Sequence, residues 1–362
     1  MLIDPSLYFV IMAGGRGTRF WPRSRTRLPK QLLNIIGPKT ILEQTIDRLL
    51  PITDWGHIFV VTEISQAGAV KSLLTELPEG HLIVEPLGKN TAPCIGLAAM
   101  LLGRIDPEAT MVILPSDHYI ARVEAFQDTL LTAAQAARKG PYLITLGIPP
   151  TFPETGYGYL EQGREIMSIK AYPVREVKAF HEKPEKSKAE AMIHSGQYFW
   201  NSGMFIWTVA AILKQMSRLT PEMYGELKKL DDYWDQPGWE EALRQAYEAV
   251  ENVSIDYAVM ERADQVLMLE GNFGWNDVGS WEAVYQLEDK DDRANCLQGP
   301  VLVLDSQGCL VHSPQKTVAL IGVKDLVVVE TPDALLVCPR ERAQDVKKVV
   351  QMLEDQGKVE LL

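Results

Sequence analysis

The sequence predicts an α/β fold. A Rossmann-like, mostly parallel twisted sheet spans residues 1–290, and a small β-helix-like module with a closing helix spans 291–362. Three observations predict it. Short apolar runs alternate with helical stretches through the first 150 residues, the pattern of βαβ units. After Pro149 strand-like runs follow one another without helices between them. From about Asp291 short strands separated by Gly, Asp and Pro turns crowd together, as in a β-helix or a small sandwich.

The elements follow in order. Tyr8–Met12 is a fully apolar run, as expected of a strand covered on both faces. Thr40-Ile-Leu-Glu43 reads as a capping box, with Ile41, Leu42, Thr45, Ile46 and Leu49 at helical spacing. Strands at Ile58–Val61, His81–Val84, Met111–Leu114 and Tyr142–Leu146 alternate with helices at Ser65–Leu77, Ala92–Arg104 and Ala121–Arg138. Right-handed crossovers then place the strand-to-helix loops on one edge of the sheet, outside the carboxyl ends of the strands. Gly156–Glu161 and Val174–Phe180 read as an antiparallel insertion. Lys186–Ser195 is a helix, Tyr198–Trp207 a strand and Val209–Glu251 a polar helical region. Val266–Leu269 is the last core strand, leading into the loop Gly271–Ser280. The terminal module has strands at Val301–Leu304, Cys309–His312, Thr317–Ile321, Leu326–Glu330 and Ala334–Val337, with a helix at Arg340–Gln356. Its alternating apolar strands suit burial against something, which suggests a homodimer.

The balance of 36 Lys plus Arg against 48 Asp plus Glu gives a formal net charge of -12. No nucleic acid or anionic membrane partner is expected of such a chain, since both need a cationic surface. The longest apolar stretch, Cys94–Leu102, is far short of the roughly 20 residues of a membrane span. Asp4 and Pro5 precede the first strand with no basic region, so no signal peptide is expected. Cys94, Cys296, Cys309 and Cys338 show no metal-binding spacing and read as free thiols, with the cytoplasm as the default location.

Chemistry concentrates between Ala13 and Lys30. Gly14, Gly15 and Gly17 let backbone amides approach a ligand, and five arginines and a lysine lie between Arg16 and Lys30. That is equipment for a polyphosphate. It is neither a Walker A loop nor a dinucleotide fingerprint, because no Gly-Lys-Ser/Thr follows and Phe20 stands where a third glycine would be. Asp117, after the strand Met111–Leu114, and Asp277, in the loop after the last core strand, could share one metal on the same edge. Asp117 could equally cap the next helix, and His118 reads as structural. Gly88 and Asn90 could read a base edge, or form a turn before a helix capped by Thr91. Lys183 could hold a phosphate, with Glu182 accepting from hydroxyls. Gly158 and Asn201 could line a sugar pocket. Trp275 and Trp281 read as packing.

In this order the segments resemble the sugar nucleotidyltransferases, and within them the mannose-1-phosphate guanylyltransferase branch. The resemblance rests on Gly14–Lys30, Glu85–Pro93, Leu114–His118, Phe180–Pro184, Trp200–Phe205 and Trp275–Trp281, and covers roughly residues 8–290. Lys89 and Cys94 depart from it where the family often has Arg and Ala. The resemblance implies transfer of GMP from GTP to mannose 1-phosphate, giving GDP-mannose and pyrophosphate with Mg²⁺. It implies triphosphate contacts from Gly14, Gly15, Gly17, Thr18, Arg19 and Lys30, base contacts from Gly88 and Asn90, and further nucleotide contacts from Ala13, Glu85, Ser116 and Asp117. Asp117 and Asp277 would hold Mg²⁺. Lys183 would bind the sugar phosphate, and Gly158, Glu182 and Asn201 the sugar. The chain as given leaves no room for the isomerase cupin of longer relatives, so no isomerase activity is expected. Two alternatives stand beside this reading. One is another sugar 1-phosphate. The other is a catalytically silent regulatory subunit, which would be expected to lack Arg19, Lys30, Asp117 or Asp277.

Overall fold

A computed structural model describes residues 3–15 and 17–362. Arg16, one of the five arginines of the first loop, lies outside the described residues.

The main sheet contains β1 (Leu7–Met12), β2 (Ile58–Glu63), β3 (Leu82–Glu85) and β4 (Thr110–Pro115). After the two-residue β5 (Tyr119–Ile120) it continues with β6 (Leu143–Ile148), β7 (Gly158–Ile169), β8 (Tyr172–Glu182), β9 (Tyr198–Thr208) and β10 (Val266–Glu270). The strand order is β3-β2-β1-β4-β9-β6-β10-β8-β7. The β1–β2, β2–β3, β1–β4 and β6–β10 pairs are parallel, whereas β8 and β9 run against their neighbours. The run 156–180 is therefore antiparallel, as its sequence suggests, and it extends the main sheet. β11 (Trp275–Asn276) pairs with β5 and ties the loop after β10 to the loop after β4.

Successive side chains of a strand point to opposite faces, and both faces are covered here. Tyr8 and Val10 of β1 join Phe59 and Val61 of β2 in one core. Leu7, Phe9 and Ile11 join Ile58 and Val60 in the other. Helices α1 (Ile41–Asp47), α2 (Ile64–Leu73), α3 (Thr91–Ile105) and α4 (Val123–Ala137) connect the parallel strands. The Thr40–Glu43 capping box of α1 is present in both directions. Helix α3 departs from expectation at its start. Asn90, at φ 68°, is the N-cap and accepts from the Thr91 amide. The Thr91 hydroxyl instead accepts from the Ile255 amide at 2.8 Å. Helix α5 (Lys186–Ser195) matches its sequence reading, and α6 (Val209–Leu219), α7 (Pro221–Lys228) and α8 (Trp239–Ala249) cover the first core.

Helix α9 (Trp281–Leu287) leads to the terminal module, built from β12 (Cys296–Gln298), β13 (Val301–Leu304), β14 (Leu310–His312), β15 (Val318–Ile321), β16 (Leu326–Glu330) and β17 (Leu335–Pro339). The parallel pairings β12–β14–β16 and β13–β15 give it the β-helix form. The closing helix is shorter than expected. Residues Arg340–Asp345 form a 3₁₀ segment, and α10 runs Val346–Asp355. A third core spans both parts of the chain. It joins Phe20, Trp21, Val278 and Trp281 to Leu310, Val329, Val346 and Val350.

Candidate active site at the carboxyl edge of the sheet

The first loop leaves β1 at Met12. The buried Gln31 side chain donates to the carbonyls of Ala13 and Gly15, both at 3.1 Å, tying the loop from one side. Gly14 lies against Glu85, with Oε2 3.8 Å from where a Cβ would stand. Gly17 has φ 60°, and a Cβ there would collide with the Cβ and amide nitrogen of Lys30. Only glycine lets the loop close on Lys30. Thr18–Phe20 form a 3₁₀ turn. Among the described residues nothing hydrogen-bonds the buried Arg19 Nε.

The cation density of this loop is not all aimed at one place. Arg23 donates to Asn34, and Arg25 makes a two-point ion pair with Asp333 at 2.9 and 3.1 Å. Arg27 is exposed. Lys30 is 5% exposed, and its Nζ donates to Asp117 Oδ2 at 2.9 Å and to the Asp277 carbonyl at 2.6 Å. Asp117 and Asp277, 160 residues apart in sequence, thus meet through one ammonium. Burial pushes the Asp117 carboxyl up, but the Lys30 ammonium outweighs this and holds it below the usual carboxylate range. The Asp277 carboxylate accepts from the Tyr157 hydroxyl, whose proton is held tightly by burial and by that same carboxylate. Burial lowers His118 to about 4, and its Nδ1 accepts from Trp275 Nε1 at 3.1 Å, a structural role. Ser116 is buried, with its amide on the Met12 carbonyl.

The donor chemistry fits a hard cation. Asp117 and Asp277 supply carboxylate oxygens, and among the described residues no group of three or more His, Cys, Asp or Glu gathers to hold a metal. A metal here would take its remaining oxygens from substrate and water, which suits Mg²⁺. Backbone strain also collects on this edge. Val278, next to Asp277, has φ 47°, as does Lys183. For a β-branched residue that is a genuine outlier.

Toward β2 and β3 the site is acidic, and the Lys89 ammonium there turns away to the Val250 carbonyl at 3.1 Å. Glu85 is 5% exposed and accepts from Tyr247 Oη at 3.0 Å. Glu63 packs against Gly88 so closely that a Cβ there would collide with its carboxylate. Burial, helped by the charge of Glu63, pushes Glu85 up to about 8 even though Tyr247 pulls it down. Asn90 is exposed, with its carbonyl used by the helix cap. Sequence reasoning missed Glu63 and Tyr247. The position of Glu63 at the end of β2 was the available signal.

Toward β7, β8 and β9 lies a second polar recess. Glu182 Oε2 is 2.5 Å from the ideal Cβ position of Gly158, and Asn201 Cβ is 3.5 Å from it. Lys183 Nζ pairs with Glu182 Oε1 at 2.8 Å. The Asn201 amide is engaged at both ends. Its Oδ1 accepts from Thr145 Oγ1 at 3.1 Å, and its Nδ2 donates to Asp256 at 2.7 Å. Asp256, which the sequence did not single out, starts a π-helical turn at Asp256–Met260. Burial first, then Glu182, pushes it up to about 6. The step Tyr157–Gly158 joins this recess to the Lys30 centre, and the Lys183 amide donates to the Tyr157 carbonyl at 3.2 Å.

A Nucleotidyl transferase family model matches residues 8–294, and a MannoseP isomerase/GMP-like beta-helix domain matches 299–353. The alginate biosynthesis protein AlgA of Pseudomonas aeruginosa is 38% identical over 363 residues, covering 97% of this chain and 73% of its own length. A mannose-1-phosphate guanylyltransferase of Klebsiella pneumoniae is 38% identical over 360 residues, covering 97% and 74%. A crystal structure from Thermus thermophilus, called a mannose-1-phosphate geranyltransferase, superposes with a TM-score of 0.84 at 34% identity, covering 96% of this chain and 99% of that one.

The buried acid at Glu85 ties stability to pH. Its pKa is about 8 folded against an ordinary 4.5. A raised carboxyl stabilises fully below the unfolded value, and that contribution is lost as pH rises through the folded value. The melting temperature of the wild-type chain is expected to fall between about pH 5 and 9, with a shallower fall in Glu85→Gln. An unchanged slope in the variant would remove Glu85 from that linkage.

Proposed function

The chain belongs to the Nucleotidyl transferase family, and we propose that its reaction is transfer of GMP from GTP to α-D-mannose 1-phosphate, giving GDP-mannose and pyrophosphate. The observation that carries the catalytic reading is the buried Lys30 ammonium, pinned between Asp117 and Asp277 beside the glycine loop. The named relatives supply the substrate pair.

In this reaction a phosphate oxygen of the sugar phosphate forms a bond to the α-phosphorus of GTP. The bond from that phosphorus to the α,β-bridging oxygen breaks, and pyrophosphate leaves with its electron pair. Such transfer needs positioning and charge neutralisation rather than a covalent nucleophile. Lys30 and Arg19 lie against the triphosphate, with the free Arg19 Nε as a donor and the amides of Gly14, Gly15, Gly17 and Thr18 beside it. Asp117 and Asp277 would hold Mg²⁺, which neutralises and orients phosphate oxygens when bound. Glu85 and Glu63 present acceptors where guanine offers its N1–H and amino donors. Adenine would turn the lone pair of its N1 there, which supports guanine over adenine. Lys183 lies on the sugar phosphate, and Glu182 and Asp256 accept from sugar hydroxyls while Asn201 orients Asp256.

The four cysteines are free thiols, which suits the reducing cytoplasm. Among the described residues no helix is long and apolar enough to cross a membrane. A homodimer through the terminal module fits its exposed apolar ladder. Leu302 pairs with Ala319 and Leu304 with Ile321, and these leucines and the isoleucine are 56–67% exposed.

Pyrophosphate release with Mg²⁺, crossing GTP, UTP, dTTP and ATP against mannose 1-phosphate and glucose 1-phosphate, tests the reading. Release confined to GTP with mannose 1-phosphate is expected, and Lys30→Ala should lower it about 10²–10³-fold. Equal release with glucose 1-phosphate would make the sugar assignment too narrow. A folded chain that binds GDP-mannose but releases nothing would favour the regulatory alternative.

Asp256→Asn should raise KM for mannose 1-phosphate about tenfold, the loss of roughly one charged hydrogen bond, with KM for GTP unchanged. Equal effects on both substrates would move Asp256 out of the sugar recess. Sedimentation equilibrium should show a dimer that Leu304→Glu with Ile321→Glu converts to a monomer. A monomeric wild type overturns the dimer.

A further inference from the structure

Arg19 depends on its neighbours for its position, because its buried Nε has no partner among the described residues. The residues after it are anchored elsewhere. Phe20 and Trp21 are 1% and 8% exposed and belong to the core shared with the terminal module. Trp21 Nε1 donates to the Leu361 carbonyl at 2.9 Å, a contact across 340 positions of sequence. Four residues on, Arg25 grips Asp333, in the turn between β16 and β17, and lies 5.8 Å over the Trp21 ring. The module thus holds the segment Trp21–Arg25 at two points.

The same hold reaches Asp277. Trp281 Nε1 donates to the Trp21 carbonyl at 3.2 Å, and the Trp281 ring meets Phe20 edge-on at 5.2 Å. Val278, fully buried at φ 47°, roots the Asp277 turn in that core. On the other side, Arg340 donates to Asp325 at 2.8 Å and lies 3.6 Å over Tyr285 of α9, the helix that Trp281 begins.

We propose that the terminal β-helix module is a positioning element of the catalytic centre. By gripping Trp21 and Arg25 it sets Arg19 and, through Trp281, Asp277 against the polyphosphate. Arg25 is then part of a latch rather than a phosphate ligand. The proposal rests on the reading of Arg19 and Asp277 given under the proposed function.

The test uses the full chain with Trp21→Phe, Arg25→Ala, Asp333→Ala and the exchanged pair Arg25→Asp with Asp333→Arg. Trp21→Phe keeps a ring in the core and removes only the indole donor. The Arg25 and Asp333 side chains are 16% and 47% exposed, and a pair that open adds little to global stability. A change in turnover would therefore not be unfolding in disguise. Each single variant should lower kcat about two- to tenfold, the worth of one hydrogen bond or ion pair, with KM for mannose 1-phosphate unchanged. Amide hydrogen exchange over residues 18–24 should quicken, and the exchanged pair should regain most of the loss. Single variants with wild-type kcat, KM for GTP and exchange, even with a lower melting temperature, overturn the positioning role. Should Trp21→Phe not fold, the Arg25 and Asp333 variants give the same decision. A wild-type chain inactive with GTP and mannose 1-phosphate would instead sink the functional reading, not the latch.

Discussion

A buried ammonium needs partners, and the contacts of Lys30 organise the rest of the site. An unpaired charge at 5% exposure would be strongly disfavoured. Its two acceptors come from opposite ends of the catalytic part of the chain, Asp117 after β4 and Asp277 after β10. β4 lies beside β1, and β10 lies beyond β9 and β6, so one lysine side chain fixes the spacing of loops across the middle of the sheet. Gly17 must be glycine for the same reason, since its neighbour in space is the stem of Lys30. Phe20 completes the enclosure, with the ammonium 5.6 Å from its ring centre.

The parts legible in the sequence were those set by local rules. The period of β1, the capping box at Thr40 and the helix at Lys186–Ser195 follow from neighbours within one turn or one strand. Asp117 and Asp277 were legible because topology sends every loop after a parallel strand to the same edge. What failed was partner choice. Charge density after β1 cannot say that Arg25 turns to a residue 308 positions away while Lys30 turns inward. The expected cap, Thr91, gives its hydroxyl to the remote Ile255 amide, and Asn90 caps the helix in its place. Glu63, Tyr247 and Asp256 were missed because each gains its role from packing against elements remote in sequence.

The terminal module looks separable in sequence, with its own strand rhythm and turns. The third core argues otherwise. Module residues and catalytic-loop residues bury one another in a single cluster, so the apolar surface of Phe20, Trp21 and Trp281 would face water without the module. Aromatic side chains of this size bury on the order of 150–250 Å² each. Removing the module would expose the floor beneath Arg19 and Asp277, which is why its contribution belongs to the site as well as to the surface.

The order of charges along the edge has its own consequence. Glu63 stands at one end, with Glu85 held largely neutral by burial, Arg19 and Lys30 in the middle, and Glu182 and Asp256 at the other, with Lys183 tied to Glu182. Carboxylates repel phosphate and welcome the N–H and O–H donors of neutral groups. Two substrates that each carry a phosphate and a neutral, donor-rich end are therefore oriented with phosphates inward and neutral ends outward. A chain of formal charge -12 can do this because screening over about 8 Å at physiological salt leaves the local cations, not the net charge, to decide where a phosphate settles. The acidic ends add selectivity by exclusion. A ligand entering reversed would place its phosphate against a carboxylate, so orientation comes from repulsion at the ends as much as from attraction at the centre.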